Sequence, residues 1–81
     1  MTETMTLYWR PRCPYSARLR ARLRLARVPF DAVNIWEDGE AAAIVRSVNN
    51  GDELVPTVRI GDRYLSNPSF REVREALSAS S

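Results

Sequence analysis

The stretch TMTLYWRPRCPYSARLRARLRLARV, residues 4–28, decides how this chain folds. Thr4 to Trp9 is a short β-prone run, and Pro11 and Pro14 close it because proline removes a backbone donor and ends strand pairing. Arg10 to Cys13 is then a loop. Pro14 suits the first position of a helix, where its missing N–H costs nothing, which makes Cys13 the cap or its neighbour. The segment Ser16 to Val28 alternates Ala17, Leu19, Ala21, Leu23 and Leu25 with Arg18, Arg20, Arg22 and Arg24, as a half-buried strand would. Leu19, Leu23 and Ala26 also fit i, i+4, i+7, and Ala, Leu and Arg are strong helix formers. Thirteen residues is long for a strand in so small a chain, so the reading is helix, with Leu25 partly exposed and Arg24 and Arg27 in a last turn where cations complement the dipole.

Working outward, Pro29 stops that helix, and Phe30 to Ile35 has the alternation of a second strand beside the first. Asp38 is placed to cap a helix from Gly39 to about Val48, with Glu40 in its first turn, and Asn49-Asn50-Gly51 ends it. Val55 to Ile60 reads as a third strand, and Gly61-Asp62 turns it tightly into Tyr64-Leu65. Ser69 with Glu72 matches a capping box, and Phe70, Val73 and Leu77 form a helical stripe that ends before a polar tail expected to fray. The order β-α-β-α-β-β-α predicts an α/β thioredoxin fold: a four-stranded mixed sheet flanked by three helices. Strands separated by a helix are expected to run parallel, and the terminal hairpin to add antiparallel edge strands.

At 81 residues the chain is expected to be one domain, residues 1–81, and a monomer. Hydrophobic residues at 44% and charged residues at 27% are the balance of an ordinary soluble globular protein rather than a disordered or membrane one. No apolar run reaches the roughly 18 residues of a membrane span, and Met1 to Thr6 lacks the pattern of a leader, so a cytoplasmic protein without membrane contact is expected. All 12 basic residues are arginine, a bias that suits a genome rich in G and C. Seven of them lie between Arg10 and Arg27 with no acid among them, while nine of the ten acids lie from Asp31 onward, so the front of the molecule is positive.

Cys13 is the single cysteine and there is no histidine. An intramolecular disulfide, a tetrahedral zinc site within one chain and imidazole acid–base chemistry are therefore all excluded, and no metal site is expected. Any chemistry must come from the thiol. A cysteine attacks disulfides as its thiolate, and a helix start with Arg10 and Arg12 beside it favours that charged form, lowering such pKa values to roughly 3.5–7.5. Ser16 stands where the second cysteine of a C-x-x-C motif would be, and a hydroxyl does not resolve a mixed disulfide. The expected cycle is monothiol.

A strand, Arg10-x-x-Cys13-Pro14-Tyr15-Ser16, a helix, and later Val55-Pro56-Thr57-Val58 together resemble a glutaredoxin. Asn34-Ile35-Trp36-Glu37-Asp38, Ala41-Ala42-Ala43 and Val45-Arg46-Ser47-Val48-Asn49 resemble the actinobacterial, mycoredoxin-like branch in particular, and the likeness covers essentially the whole chain. The resemblance implies thiol–disulfide exchange between protein mixed disulfides and a low-molecular-weight thiol, with Cys13 as nucleophile and no tightly bound cofactor. It implies that Arg10 and the backbone of Val55 contact the bound thiol, that Tyr15 lines its groove, and that Pro56 is cis and faces the sulfur. Ser66-Asn67-Pro68-Ser69 stands where glutathione-using members have a Gly-Gly pair and an acid. That departure points to mycothiol rather than glutathione as co-substrate, with Ser66, Asn67 and Ser69 as contacts and Arg12 beside them in the thiol-binding set.

Two other functional classes bear on parts of this sequence. Iron–sulfur carriage by two chains sharing a cluster through Cys13 fits Cys-Gly-Phe-Ser better than Cys-Pro-Tyr-Ser. A basic helix carrying Arg18, Arg20 and Arg22 suits nucleic acid, but a net charge of only +2 with no aromatic groove speaks against that partner. Tyr8 and Trp9 read as core or strand-face residues, and Trp36 as either a local packer or a flank of the groove.

Overall fold

Met5–Trp9 forms β1, and its odd and even side chains leave on opposite faces, which is what lets one strand serve two cores. The computed structural model describes residues 5–80, so the expected strand start at Thr4 lies outside the described residues. The elements that follow are α1 (Pro14–Leu25), β2 (Asp31–Asn34), α2 (Gly39–Val48), β3 (Thr57–Ile60), β4 (Arg63–Ser66) and α3 (Phe70–Ser80). This is the expected order, and the sheet runs β2-β1-β3-β4. Met5, Leu7, Leu19, Leu23, Val58, Ile60 and Val73 fill the core between the sheet and the pair α1 and α3. Tyr8, Ile35, Ala41, Ala42, Val45 and Val55 fill the other, beneath α2.

Helix won over strand in residues 14–25 because Ser16, Leu19 and Leu23 recur at helical spacing and all three are buried. The alternating partners behave differently: Leu25 is 84% exposed rather than partly so, and Ala26 is exposed instead of continuing the buried stripe. The helix also ends earlier than Val28. The Arg27 N–H donates to the Arg24 carbonyl and the Val28 N–H to the Leu23 carbonyl, each at 3.0 Å, with Arg27 left-handed at φ 58°. That is a Schellman closure, so the stop precedes Pro29, and Arg27 lies just beyond the last turn rather than in it.

The third strand departs most from expectation. β1 and β2 are parallel, with Leu7 opposite Ala32, but β3 runs antiparallel to β1, with Leu7 opposite Val58. The rule for helix-joined strands applies to a crossover between parallel strands of the sheet, whereas β3 enters on the far side of β1 and never neighbours β2. β3 is thus interior, and of the hairpin's two strands only β4 lies at an edge, with β2 at the other edge of the sheet. An interior strand cannot spare a ladder donor, so Pro56 stands just outside it and β3 begins at Thr57 rather than Val55.

The caps follow the sequence closely. The Asp38 carboxylate accepts from the Glu40 and Ala41 N–H groups, both at 3.1 Å. The Ser69 hydroxyl accepts from Glu72 N–H at 3.1 Å while the Glu72 carboxylate accepts from Ser69 N–H at 3.0 Å, a complete capping box. α3 then continues through the polar residues to Ser80, so the segment expected to fray is helical as far as it is described.

Candidate active site

Everything at the site is positioned by where β1 stops. After Trp9 the chain turns through Arg10, Pro11 and Arg12, the last left-handed at φ 66°, and delivers Cys13 as the N-cap of α1 with Pro14 next. The Cys13 carbonyl accepts the first helical bond, from Ala17 N–H at 3.1 Å. Its sulfur is half-buried and lies 3.8 Å from the Val55 carbonyl oxygen, to which the thiol donates when protonated. The Val55-Pro56 bond is cis. The Arg10 guanidinium donates to the Glu53 carbonyl at 3.3 Å, tying the loop before α1 to the segment that carries Val55.

Partial burial pushes the Cys13 thiol up, but four influences together hold it below its ordinary value: the Ser16 hydroxyl, the Ser16 and Tyr15 backbone N–H groups, and the Arg10 guanidinium. The Ser16 hydroxyl is 1% exposed and meets no partner of good geometry among the described residues. The ionised sulfur is the partner this buried group has in reach, so Ser16 favours the thiolate even though it cannot form a disulfide.

Two clefts flank the start of α1. A smaller one, about 270 Å³, is lined by Trp9, Arg10, Arg12, Cys13, Pro14 and Arg20 among others. A second, about 310 Å³, lies between α1 and α3 and takes in Tyr15, Arg18, Arg22, Asn67, Ser69 and Glu72. Tyr15 is 65% exposed, a ring open to a ligand rather than a core member. Asn67 is left-handed at φ 47°, and its N–H donates to the Pro56 carbonyl at 2.8 Å, joining the second cleft to the cis-proline segment.

The structure therefore brings Arg10, Cys13, Ser16, Val55 and Pro56 together, with Arg12 on the cleft wall and Tyr15, Asn67 and Ser69 in the adjoining cleft. Arg10 is the charge that acts on the sulfur. Ser66 is drawn elsewhere: its hydroxyl donates to Asn49 Oδ1, while Asn49 Nδ2 donates to the Val45 carbonyl and to Thr57 Oγ1. The Ser69 hydroxyl serves its own helix cap. Tyr8 belongs to the core, whereas Trp9 both ends β1 and lines the Cys13 cleft. Trp36 is 60% exposed and lines neither cleft.

Sequence reasoning missed Glu53, whose contribution is a backbone carbonyl, and Arg20, whose guanidinium lies 4.0 Å over the Trp9 ring. The acid-free arginine run was the signal for Arg20. No helix is long and apolar enough to cross a membrane, and no cluster of metal-ligating side chains occurs, among the described residues.

Against known proteins, the glutaredoxin family model matches residues 5–65. A Mycobacterium tuberculosis protein that carries the glutaredoxin name is 40% identical over 78 residues, covering 95% of this chain and 93% of the relative. Mycoredoxin 1 of Corynebacterium glutamicum is 36% identical over 78 residues, covering 95% and 96%. The crystal structure of the glutaredoxin of Archaeoglobus fulgidus superposes with a TM-score of 0.69 at 24% identity, covering 93% of this chain and 85% of that one, a likeness of fold. With the helix-capping cysteine, the cis-proline segment and these relatives, the chain belongs to the glutaredoxin family as a mycoredoxin-like member, and its activity is thiol–disulfide oxidoreduction.

Proposed function

We propose that Cys13 reduces mixed disulfides between proteins and mycothiol by a monothiol cycle. The Cys13 thiolate attacks the mycothiol sulfur of the mixed disulfide; the protein leaves as its thiolate and takes a proton from water, and Cys13 becomes mycothiolated. A second mycothiol thiolate then attacks that same mycothiol sulfur, giving mycothiol disulfide and restoring the Cys13 thiolate. The net reaction consumes one free mycothiol thiol and releases one protein thiol, the mixed disulfide being exchanged for mycothiol disulfide, and no other oxidant or reductant takes part.

The observation that carries this reading is a half-buried sulfur held below its ordinary pKa at the start of α1, next to the cis Val55-Pro56 segment. In the cycle Arg10 and the backbone of Val55 orient the bound thiol, Pro56 faces the sulfur, and Tyr15 walls the groove. Mycothiol rather than glutathione is supported by the likeness to Mycoredoxin 1 and by Ser66-Asn67-Pro68-Ser69, which presents neutral hydrogen-bonding groups where an acid would otherwise stand. Of those side chains the Asn67 amide has no partner among the described residues, so it is the foremost contact, with Ser69 beside it and Arg12 at the opposite rim. Ser66 reaches the ligand only by giving up Asn49. A lone thiol with no structural disulfide suits a monomer at work in a reducing cytoplasm.

Intact mass after incubation with oxidised mycothiol or oxidised glutathione tests this, with Cys13→Ser as control. A mycothiol adduct on the unaltered chain, absent from the control, is the expected result, together with faster reduction of a mycothiolated than of a glutathionylated model protein. Equal or faster turnover of the glutathionylated substrate rejects the choice of thiol; an adduct that survives Cys13→Ser rejects the nucleophile.

A further inference from the structure

The two clefts beside α1 differ in charge. Glu72 accompanies Arg18 and Arg22 in the one, whereas the cleft that holds Cys13 is walled by Arg10, Arg12 and Arg20 without a carboxylate. None of those three guanidinium groups is ion-paired among the described residues, and the hydrogen bond that Arg10 makes is to a neutral carbonyl. Arg20 Nε and Trp9 Nε1 are buried and lack an acceptor. One face of the Trp9 ring is covered by the Arg20 guanidinium, so what the cleft presents to a visitor is the positive charge of its arginines.

Like charges without counter-charges disfavour the empty cleft, and a group that carries negative charge relieves that repulsion. A carboxylate has that chemistry and matches a guanidinium fork. Cys13 lies within this cleft, so a group entering it during reaction is attached to the disulfide under attack. With mycothiol along Tyr15, Asn67 and Ser69 and reaching Arg10 and Arg12 only at the shared rim, the Trp9 and Arg20 end of this cleft is left to the other half of that disulfide, the protein.

Resting on the exchange cycle above, we propose that the Trp9–Arg20 cleft is a substrate-selecting surface for protein mixed disulfides whose cysteine is flanked by Asp or Glu. The same guanidinium groups stabilise the protein thiolate as it leaves. Nucleic acid is the other polyanion that suits such a surface, but bases bind by stacking on aromatic faces, and the aromatic ring in this lining, Trp9, already has a face taken by Arg20.

The test uses mixed disulfides of mycothiol with three short peptides, identical except that the residues flanking cysteine are Glu, Gln or Lys. At low ionic strength kcat/KM is expected to be about tenfold higher for the Glu than for the Gln peptide, and lowest for the Lys peptide. Added salt shrinks the spread, because partly exposed charges are screened. Arg20→Gln is expected to cut the Glu-to-Gln ratio to about twofold or threefold. The salt series on the unaltered protein decides the matter should that variant fold poorly. Equal kcat/KM for the three peptides, or a Glu preference indifferent to salt and to Arg20→Gln, overturns the proposal while leaving the exchange cycle intact. Stronger inhibition by a thymidine oligonucleotide than by a polyglutamate of equal charge overturns it in favour of nucleic acid. No turnover of any peptide by folded protein overturns the cycle itself.

Discussion

Cys13 receives one push upward in pKa, from partial burial, and several downward, from Ser16, Tyr15 and Arg10, and the downward set wins. Ser16→Ala removes one of them without altering the helix start, so it is expected to raise the pH midpoint of Cys13 alkylation and to slow alkylation severalfold at neutral pH. An unchanged midpoint contradicts the role given to this hydroxyl. The same ionisation is linked to stability: a thiol whose folded pKa lies below its unfolded one stabilises the fold fully above the unfolded value, and that contribution fades as pH falls through the folded value. Urea midpoints of the unaltered chain and Cys13→Ser should therefore converge on acidification; a difference that widens refutes the sign. Cys13, Pro14 and Arg10 were legible in the sequence because their effect follows from chain position at a helix start. The contribution of Ser16 was not, since it depends on which way a small hydroxyl points once α1 packs.

At the level of elements, the helix of residues 14–25 was recoverable from Leu19 and Leu23 despite a period-two pattern, since arginine on alternate positions says where water is, not which secondary structure makes it so. Its end was not, because a Schellman closure with arginine in the left-handed position leaves no glycine to read. Arg27 pays a steric penalty there that glycine avoids, so Arg27→Gly is expected to stabilise the protein by about 0.5–1 kcal/mol in urea denaturation. A loss of stability would mean that the side chain matters more than the backbone conformation. The direction of β3 was likewise hidden, because Val58 and Ile60 point into the same core whichever way the strand runs. Only its place beside β1 settles the direction.

Across the whole molecule, two cores share one thin sheet, and the first carries most of the large aliphatic side chains. Leu23, fully buried where α1 meets that core, is expected on truncation to alanine to cost about 2–5 kcal/mol. That is a large part of the 5–15 kcal/mol typical of a domain, so the variant should melt at a clearly lower temperature than the unaltered chain by circular dichroism. A loss under 1 kcal/mol would show that the core repacks around the gap. The uneven charge was plain in the sequence, but not its division between two clefts, one with Glu72 and one without an acid, which arises only when α3 docks beside α1.

The account stands on a sulfur held ionised at the leading end of α1 beside the cis-proline segment. Ultraviolet absorbance of the thiolate followed against pH, with Cys13→Ser as the blank, measures that directly. A single transition centred clearly below the ~8.5 of an unperturbed cysteine is the result predicted. A transition at or above that value would contradict it.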